Sequence, residues 1–422
     1  MEVTIYPSIC HGEVHVPPSK SMTHRALICA ALANGTSTIH NVLRCEDTMA
    51  TLQATKQLGA TIQWRDQTTL SITGNIASLP QASSHISCKE SGSTLRFLIP
   101  LCSLFFEETF FEGEGRLMQR PLSVYEEIFQ KQGISFQKDQ NSLFIKGQLQ
   151  ADHFHIKGNI SSQFITGLFF ALPLLKQDSL ITIEPPIESK SYISMTLHIL
   201  KQYGILIHQI AENTWEIKGN QVYQACDWTI EGDYSQFAFF AVLAAINQDL
   251  HIKKVSHHSL QGDAIILNIL KEAHASITPT EEGFLIKKSE LTPFQVDIHD
   301  CPDLGPILMV LAAYAHGTSK ITNAGRLRLK ESDRIEAMET ELKKLGVNIH
   351  SSIDEITIVG TPPYQGNTAL SSHHDHRIAM SLAILATQAK QACTIQEAQA
   401  IQKSYPQFFQ HLKDIHIQIE EN

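Results

Sequence analysis

The most regular feature of the sequence is a recurring order of apolar and polar positions. Six times along the chain, a nearly continuous apolar segment of helical length passes through a small, acidic or amide residue into a short strand in which apolar and polar residues alternate. The residues just before these strands are Gly35, Glu107, Asp178, Asp249, Gly317 and Gln391, which lie 68 to 74 residues apart. This spacing predicts six copies of one structural repeat.

A second pattern with the same period supports the repeat. Each copy also has an amphipathic helix that runs into a strand, as in KQLGATI and KKLGVNI. A glycine stands at the helix end in four copies, where a left-handed residue closes a helix at little steric cost. These are Gly59, Gly133, Gly204 and Gly346. Each repeat is therefore predicted to contain a helix, a strand, a second helix and two further strands.

The apolar distribution within each repeat predicts the layers of the fold. The first helix is apolar nearly all round, as in FAFFAVLAAI, and should be buried, whereas the second has a charged face. A six-repeat solenoid is one possible architecture. Repeats of this length more naturally close in threes, so we expect an α/β fold of two domains, each with three repeats and buried central helices. The predicted domains are residues 1–19 with 231–422, and residues 20–230. We expect the N-terminal strand to complete the former, because the first repeat lacks a strand pair of its own.

Composition narrows the class of protein. The 422 residues include 33 Lys and Arg against 43 Asp and Glu, a formal charge of −10 that argues against nucleic acid or an anionic membrane as partner. No apolar stretch approaches the roughly 18 residues of a membrane span. The acidic, strand-like start does not resemble a signal peptide. Eight cysteines without a CxxC pair favour reduced thiols. We therefore expect a cytoplasmic protein that acts on small molecules.

Candidate chemistry lies at the predicted starts of the first helices. These ends offer free backbone N–H groups and a partial positive charge to an anion, and they read SKSMTHRAL, SGSTLRF, SSQF, PDLGP and DHRIAM. Taken singly, each is equally well explained by helix capping or a surface ion pair, and Arg96 alone is better read as a salt-bridge residue. HHDH lacks the spacing of a metal site, and there is no Walker or dinucleotide motif, so neither a metal nor a cofactor is expected.

Taken together and in this order, the motifs resemble those of the 5-enolpyruvylshikimate-3-phosphate synthases, a family of enolpyruvyl transferases. The motifs SKSMTHRAL, SGSTLRF, QRP, SSQF, PD with KESDR, and DHRIAM with KSYP cover essentially the whole chain. The resemblance implies a two-domain inside-out α/β barrel, three βαβαββ repeats per domain, with the active site in the interdomain cleft. It implies transfer of the enolpyruvyl group of phosphoenolpyruvate to the 5-hydroxyl of shikimate 3-phosphate, with release of phosphate and no cofactor. We expect a monomer.

The resemblance also assigns roles to residues. Those implied for shikimate 3-phosphate are Lys20, Ser21, Arg25, Ser161, Ser162, Gln163, Ser189, Tyr192, Asp303 and Lys330. Those implied for phosphoenolpyruvate are Lys20, Gly92, Arg120, Gln163, Arg334, Arg377 and Lys403. The implied catalytic residues are Asp303, Glu331, Lys20 and His376. The division of acid and base roles between Asp303 and Glu331 stays open, and His376 either relays a proton or orients Arg377.

Two departures and two alternatives accompany this interpretation. Glu90 stands where many relatives have Asn, and Arg326 where some have Asn, so neither is assigned to the site. The sister transferase that acts on UDP-N-acetylglucosamine would have a cysteine in the segment GEGRLMQRP and an Asn after Lys20, and this chain has neither. A non-catalytic ligand sensor is the alternative from another class. Carboxylates beside the cations argue against it. The fourth repeat starts without cations and is expected to serve packing.

Overall fold

The repeat pattern of the sequence corresponds to six similar sheets in the structure. In the computed structural model, the described residues are 1–75 and 81–422, and within them the chain forms twelve α-helices and six four-stranded sheets. The chain divides into two units: the terminal unit, residues 1–17 and 231–422, and the inserted unit, residues 18–230.

The elements follow the chain in the predicted order. It begins with β1 (Val3–Ile5) and β2 (Glu13–His15). Repeats one to three contain α1 (Lys20–Leu32), β3 (Gly35–His40), α2 (Glu46–Gln57), β4 (Thr61–Trp64), β5 (Leu70–Gly74), β6 (Gln81–Ser87), α3 (Gly92–Phe105), β7 (Phe106–Glu112), α4 (Ser123–Lys131), β8 (Ser135–Lys138), β9 (Ser142–Lys146), β10 (His153–Lys157), α5 (Ser162–Ala171), β11 (Ser179–Glu184), α6 (Lys190–Gln202), β12 (Ile207–Ala211), β13 (Thr214–Ile217) and β14 (Asp227–Thr229).

Repeats four to six continue this order in the terminal unit. They contain α7 (Tyr234–Ile246), β15 (Leu250–Lys253), α8 (Ile266–Glu272), β16 (Ser276–Thr280), β17 (Gly283–Lys287), β18 (Gln295–Asp297), α9 (Gly305–Tyr314), β19 (Gly317–Thr322), α10 (Arg334–Lys344), β20 (Asn348–Ser351), β21 (Ile356–Gly360), β22 (Thr368–Ser371), α11 (His376–Ala386), β23 (Cys393–Gln396), α12 (Phe408–Asp414) and β24 (Ile419–Glu421). Short 3₁₀ helices precede α8 and α9, at Gly262–Ile265 and Pro302–Leu304.

All six sheets share one topology. A leading strand runs parallel to the second strand, and the third and fourth strands follow antiparallel, as in the order β6-β7-β9-β8. In five sheets the last two strands form a hairpin, and in the sixth they are β1 and β24. The N-terminal strands fill two gaps in the terminal unit: β2 lies parallel to β15 in repeat four, and β1 lies antiparallel to β23 and β24 in repeat six. We had expected the N-terminal strand to complete this unit because the first repeat lacks a strand pair of its own, and that reason was wrong. The first repeat has its own hairpin, β4 with β5, and it borrows only its leading strand, β14.

The first helix of each repeat lies in a core, as its composition predicted. Every residue of α7, α9 and α11 is buried, and so are eleven residues of α1. The second helices bury one face only; α4 buries Val124, Tyr125, Ile128 and Phe129. The inserted and terminal units each have a hydrophobic core of their own. In the described ranges no helix combines the length and apolar character that crossing a bilayer requires.

The helix ends confirm the repeat at the level of the backbone. The four glycines predicted to end second helices all have left-handed φ angles, between +71° and +87°. His274 and His416 occupy the corresponding positions of repeats four and six, with φ of +63° and +70°. The left-handed residue is therefore kept even where glycine has been lost, at a cost of about 1 kcal/mol for each such residue.

Candidate active site

The buried helices of the two units begin with different caps. In the inserted unit α1, α3 and α5 are capped by the hydroxyl groups of Ser19, Ser91 and Ser161, and their first turns contain no acidic residue. In the terminal unit the carboxylates of Asp233 and Asp375 cap α7 and α11. Because a neutral cap satisfies an N–H group without cancelling the helix dipole, the helix starts of the inserted unit keep their positive potential.

Lys20 lies in the first turn of α1 and faces the start of α2. Its Nζ is 2.8 Å from Asp47 Oδ2, and both side chains are largely buried. Asp47 was missed by the sequence interpretation, although acidic residues in a first helical turn are a known signal. The pair holds the ammonium group in a fixed position beside the N-terminus of α1.

Arg25 is a buried cation, 2% exposed, in the middle of the same helix. Its guanidinium group donates to Thr196 Oγ1 at 2.9 Å and to the Ser21 carbonyl at 2.8 Å, and the Tyr192 ring lies 5.8 Å away. Burial lowers the pKa of Arg25 to about 10. Among the described residues its contacts are hydroxyl, carbonyl and aromatic groups, with no carboxylate. This charge is therefore available to an anionic ligand.

Gly92, at the start of α3, lies against two guanidinium groups. A Cβ atom built on Gly92 would be 3.1 Å from Arg120 Nη1 and 3.3 Å from Arg96 Nη1. Arg96 Nη1 donates to Gln163 Oε1 at 2.6 Å, and Gln163 Nε2 donates to Ser93 Oγ at 3.0 Å. The structure thus brings three predicted residues, Gly92, Arg120 and Gln163, together and adds Arg96 to them.

The serines predicted for the inserted unit lie at helix starts. Ser161 caps α5, and Ser162 follows it, buried, immediately before Gln163. Ser189 precedes α6 with a left-handed φ of +56° and is also buried. Tyr192 lies one turn into α6, on the side that faces Arg25. Their hydroxyl groups supply donors that suit phosphate oxygens.

Asp303 is the centre of the charged cluster in the terminal unit. Its Oδ1 lies 3.1 Å from both Lys330 Nζ and Arg334 Nη1, and its Oδ2 lies 3.2 Å from Arg377 Nη2. Burial works against ionisation of Asp303, but Arg377, Lys330 and Arg334 outweigh it and hold the pKa of Asp303 well below its usual value. The carboxyl group is therefore ionised and ready to accept a proton.

Arg334 connects this cluster to the start of α11. It is 1% exposed, and it donates to Glu331 Oε2 at 2.7 Å and to Asp375 Oδ2 at 2.8 Å. Burial alone would lower its pKa, but Asp375, Glu331 and Asp303 raise it, so the charge persists. Burial also lowers the pKa of Lys330, and the neighbouring Arg334 adds to that effect. Asp375 was not among the predicted site residues.

Two predicted residues lie around the loop before α11. His376 is buried, with its Nδ1 3.8 Å from Asp375 Oδ1. Lys403 Nζ donates to the carbonyl of His374 at 2.8 Å. The described residues contain no group of three or more His, Cys, Asp or Glu arranged to hold a metal ion. The HHDH segment instead directs its side chains to separate partners, with His373 facing Glu341.

Repeat four contributes a buried carboxyl group that sequence reasoning missed. Asp263 is 2% exposed, and its Oδ2 accepts a hydrogen bond from Ser235 Oγ in the first turn of α7. Burial and the charge of Asp303 raise the pKa of Asp263 to about 7, while Arg377 opposes the shift. Arg326, excluded from the predicted site, donates to the His299 carbonyl at 3.4 Å.

The class of protein follows from this fold and from the cations at its helix starts. The enolpyruvyl transferase NikO from Streptomyces tendae has a similar structure, with a TM-score of 0.81 over 100% of this chain and 98% of that chain, at 15% sequence identity. EPSP synthase from Acinetobacter baumannii matches with a TM-score of 0.83 and 25% identity, covering 99% of both chains. The fold is therefore that of the enolpyruvyl transferases.

Sequence comparison identifies the family within this class. The EPSP synthase (3-phosphoshikimate 1-carboxyvinyltransferase) family profile matches residues 6–412. Relatives named 3-phosphoshikimate 1-carboxyvinyltransferase include one from Clostridium kluyveri, 42% identical over 99% of this chain and 98% of its own length. Another, from Clostridioides difficile, is 43% identical over 99% of this chain and 98% of its own length. The chain belongs to the EPSP synthase family.

Proposed function

We propose that the chain performs the reaction of its family with the residues gathered at the helix starts. It transfers the enolpyruvyl group of phosphoenolpyruvate to the 5-hydroxyl of shikimate 3-phosphate and releases phosphate, as an enzyme of aromatic amino acid biosynthesis. The match over residues 6–412 is the observation that carries this conclusion.

Both substrates carry a phosphate and a carboxylate, so they require several cations and N–H donors. We assign to shikimate 3-phosphate the residues Lys20, Ser21, Arg25, Ser161, Ser162, Gln163, Ser189, Tyr192, Asp303 and Lys330. We assign to phosphoenolpyruvate the residues Lys20, Gly92, Arg120, Gln163, Arg334, Arg377 and Lys403. The buried charge of Arg25 and the guanidinium groups beside Gly92 support these assignments.

Proton transfer is assigned to Asp303 and Glu331. Addition joins the 5-hydroxyl oxygen to C2 of phosphoenolpyruvate while C3 gains a proton, and elimination then removes a proton from C3 as phosphate leaves. The cations around Asp303 keep it ionised, which is the form that a proton acceptor for the hydroxyl group requires. Glu331 is the proposed donor to C3. Its contact with Arg334 supports its place in the same cluster.

The remaining assignments complete the proposal. Lys20 and His376 are the other proposed catalytic residues, and His376 relays a proton to the departing phosphate. We propose that the terminal and inserted units are the two domains and that the enzyme works as a cytoplasmic monomer. Neither nucleic acid nor a membrane is a proposed partner.

The decisive experiment is a phosphate-release assay on the purified chain. Phosphate should appear from phosphoenolpyruvate when shikimate 3-phosphate is added, and not when UDP-N-acetylglucosamine is added instead. Release with the nucleotide sugar would favour the sister transferase. If shikimate 3-phosphate binds but no phosphate is released, the sensor function would be favoured.

A further inference from the structure

One face of α10 contacts the loop that precedes α11 at two points. Arg334 and Glu341 are seven residues apart, two helical turns, and so lie on the same face of the helix. Arg334 holds Asp375 at the end of the loop, as described above. Glu341 Oε2 accepts from the backbone N–H of Ser371 at 3.1 Å, and its Oε1 accepts from His373 Nε2 at 3.1 Å. Glu341 therefore holds the beginning of the same loop.

Glu341 is built to remain a carboxylate although it is buried. Its side chain is 2% exposed, and Lys344 Nζ provides a third donor at 2.7 Å. Burial opposes ionisation, but the hydrogen bonds from His373 and Lys344 outweigh it and lower the pKa of Glu341. Since a carboxylate can only accept hydrogen bonds, His373 carries its proton on Nε2 in this contact.

The loop that Glu341 holds has an unfavourable backbone conformation. His373 and His374 are consecutive non-glycine residues with left-handed φ angles of +50° and +55°. Such conformations persist only where surrounding contacts enforce them. Serine hydroxyl groups bind the two backbone N–H groups, Ser371 Oγ that of His373 and Ser372 Oγ that of His374. Glu397 holds the Ser371 and Ser372 hydroxyl groups through its carboxylate and its carbonyl, and Glu341 holds the His373 side chain.

This conformation directs the His374 carbonyl at Lys403. The distance from Lys403 Nζ to that oxygen is 2.8 Å, and Lys403 is 7% exposed. This carbonyl group orients the ammonium group of Lys403 without itself carrying a formal charge. The position of this ammonium group is thus coupled to the turn, and one of the contacts that hold the turn comes from α10.

We propose that Glu341 and His373 form a positioning pair that fixes the 371–374 turn and, through the His374 carbonyl, the ammonium group of Lys403. The inference rests on the proposed function, in which Lys403 binds phosphoenolpyruvate. Neither member of the pair is among the residues that we assign to a substrate. Its loss should weaken phosphoenolpyruvate binding and leave shikimate 3-phosphate binding unchanged, because Lys403 is assigned only to the former.

The test compares two substitutions of His373 with a matched control. His373 is only partly buried, so His373→Leu should fold; it removes the donor to Glu341 and should raise the KM for phosphoenolpyruvate about 3- to 10-fold, with little change in kcat. His373→Gln keeps an Nε2 donor and should restore most of the affinity. His274→Leu makes the same change at an exposed left-handed residue of the terminal unit and should leave both KM values unchanged.

A double-mutant cycle separates this inference from the proposed function. Lys403→Met should raise the KM for phosphoenolpyruvate, and His373→Leu should add nothing in that background. If Lys403→Met leaves this KM unchanged, the assignment of Lys403 in the proposed function is wrong. If Lys403→Met raises it and His373→Leu raises it independently, only the positioning role is overturned. Equal increases in both substrate KM values, or failure of His373→Gln to rescue, would mean that the contact is merely structural. Should His373→Leu not fold, Glu341→Gln gives the same comparison.

Discussion

Arg96 Nη1 donates a hydrogen bond of 2.6 Å to Gln163 Oε1, and Gly92 lies directly against the same guanidinium group. The start of α3 is thus joined to the start of α5 by a side-chain bridge that would be in tight contact with a Cβ atom at residue 92. Arg120 occupies the other side of that glycine, with its Nη1 3.1 Å from where the Cβ would be.

Gly92→Ala should therefore displace Arg120 and Arg96 by a few tenths of an ångström. The residue does not have a left-handed φ, so the backbone accepts alanine and the fold should be retained. We expect the KM for phosphoenolpyruvate to rise about 10-fold, the usual effect of a small misplacement of binding groups. Steady-state kinetics with each substrate varied in turn will check this. An unchanged KM for phosphoenolpyruvate would contradict the placement of Gly92 and Arg120 at its site.

Arg25→Met should separate binding from stability. The buried guanidinium group has no carboxylate partner among the described residues, so replacing it with an apolar side chain of similar length should leave the melting temperature equal or higher. Binding of shikimate 3-phosphate should weaken by about 100-fold or more. Calorimetric titration and thermal melting measure the two effects. Arg44→Met, at an exposed arginine of the same unit, is the control, and equal losses in both variants would argue against a role for Arg25 in binding.

Asp303→Asn and Glu331→Gln should reduce kcat by about 10²- to 10⁴-fold while changing either KM much less. The amide that replaces the Asp303 carboxylate cannot accept the proton. The amide that replaces the Glu331 carboxyl group cannot donate one. Rapid-quench measurement of a single turnover will show whether the chemical step has slowed. Asp297→Asn, in the exposed strand just before Asp303, should retain full turnover. Near-normal kcat in both site variants would disprove the acid–base assignment.

Asp263→Asn should change how stability depends on pH. The carboxyl pKa is raised from 3.8 to about 7 in the folded chain, so between these values the unfolded chain releases a proton that the folded chain keeps. The free energy of unfolding therefore falls as pH rises through this range, and the full penalty remains above pH 7. The variant lacks the penalty and should be more stable than the parent by about 4 kcal/mol at pH 8, with little difference near pH 4. Melting curves across this range will test it; Asp414→Asn, at an exposed aspartate, should show no such trend.

Local patterns in the sequence were enough to predict the repeats. Apolar helices and the glycine position that ends each second helix depend on residues close in the chain, and even His274 and His416 keep the predicted backbone. The strands that join distant sheets were harder to predict, because β1, β2 and β14 have three residues each and pair with strands elsewhere in the sequence. Which strand completes which sheet is decided by tertiary packing.

The residues of the candidate site also fall into two groups: those that local sequence patterns predict and those that only tertiary packing brings together. The sequence pointed to cations in motifs at the helix starts and to two of their acidic partners, Asp303 and Glu331. It did not point to Asp47 or Asp375. Lys20 pairs with Asp47 across 27 residues, and Arg334 pairs with Asp375 across 41. Asp263 comes from a repeat whose start carries no basic residue, and no short motif identifies it. Such contacts arise only when elements that are distant in the chain pack together, within one repeat for Lys20 and Asp47 and between two repeats for Arg334 and Asp375.

The choice between serine and aspartate at the helix caps has a consequence for how an incoming anion is received. A phosphate group that binds Arg25 competes with uncharged hydroxyl and carbonyl oxygens. Its electrostatic attraction to the guanidinium group is therefore not reduced by a carboxylate. One arriving at Arg334 must compete with Asp303, Glu331 and Asp375, which already satisfy that guanidinium group. Arg25 therefore offers an anion a charge that no carboxylate among the described residues shares, whereas the charge of Arg334 is already shared by three. One of these three, Asp375, also caps α11, so in that repeat the aspartate cap itself competes with an incoming anion.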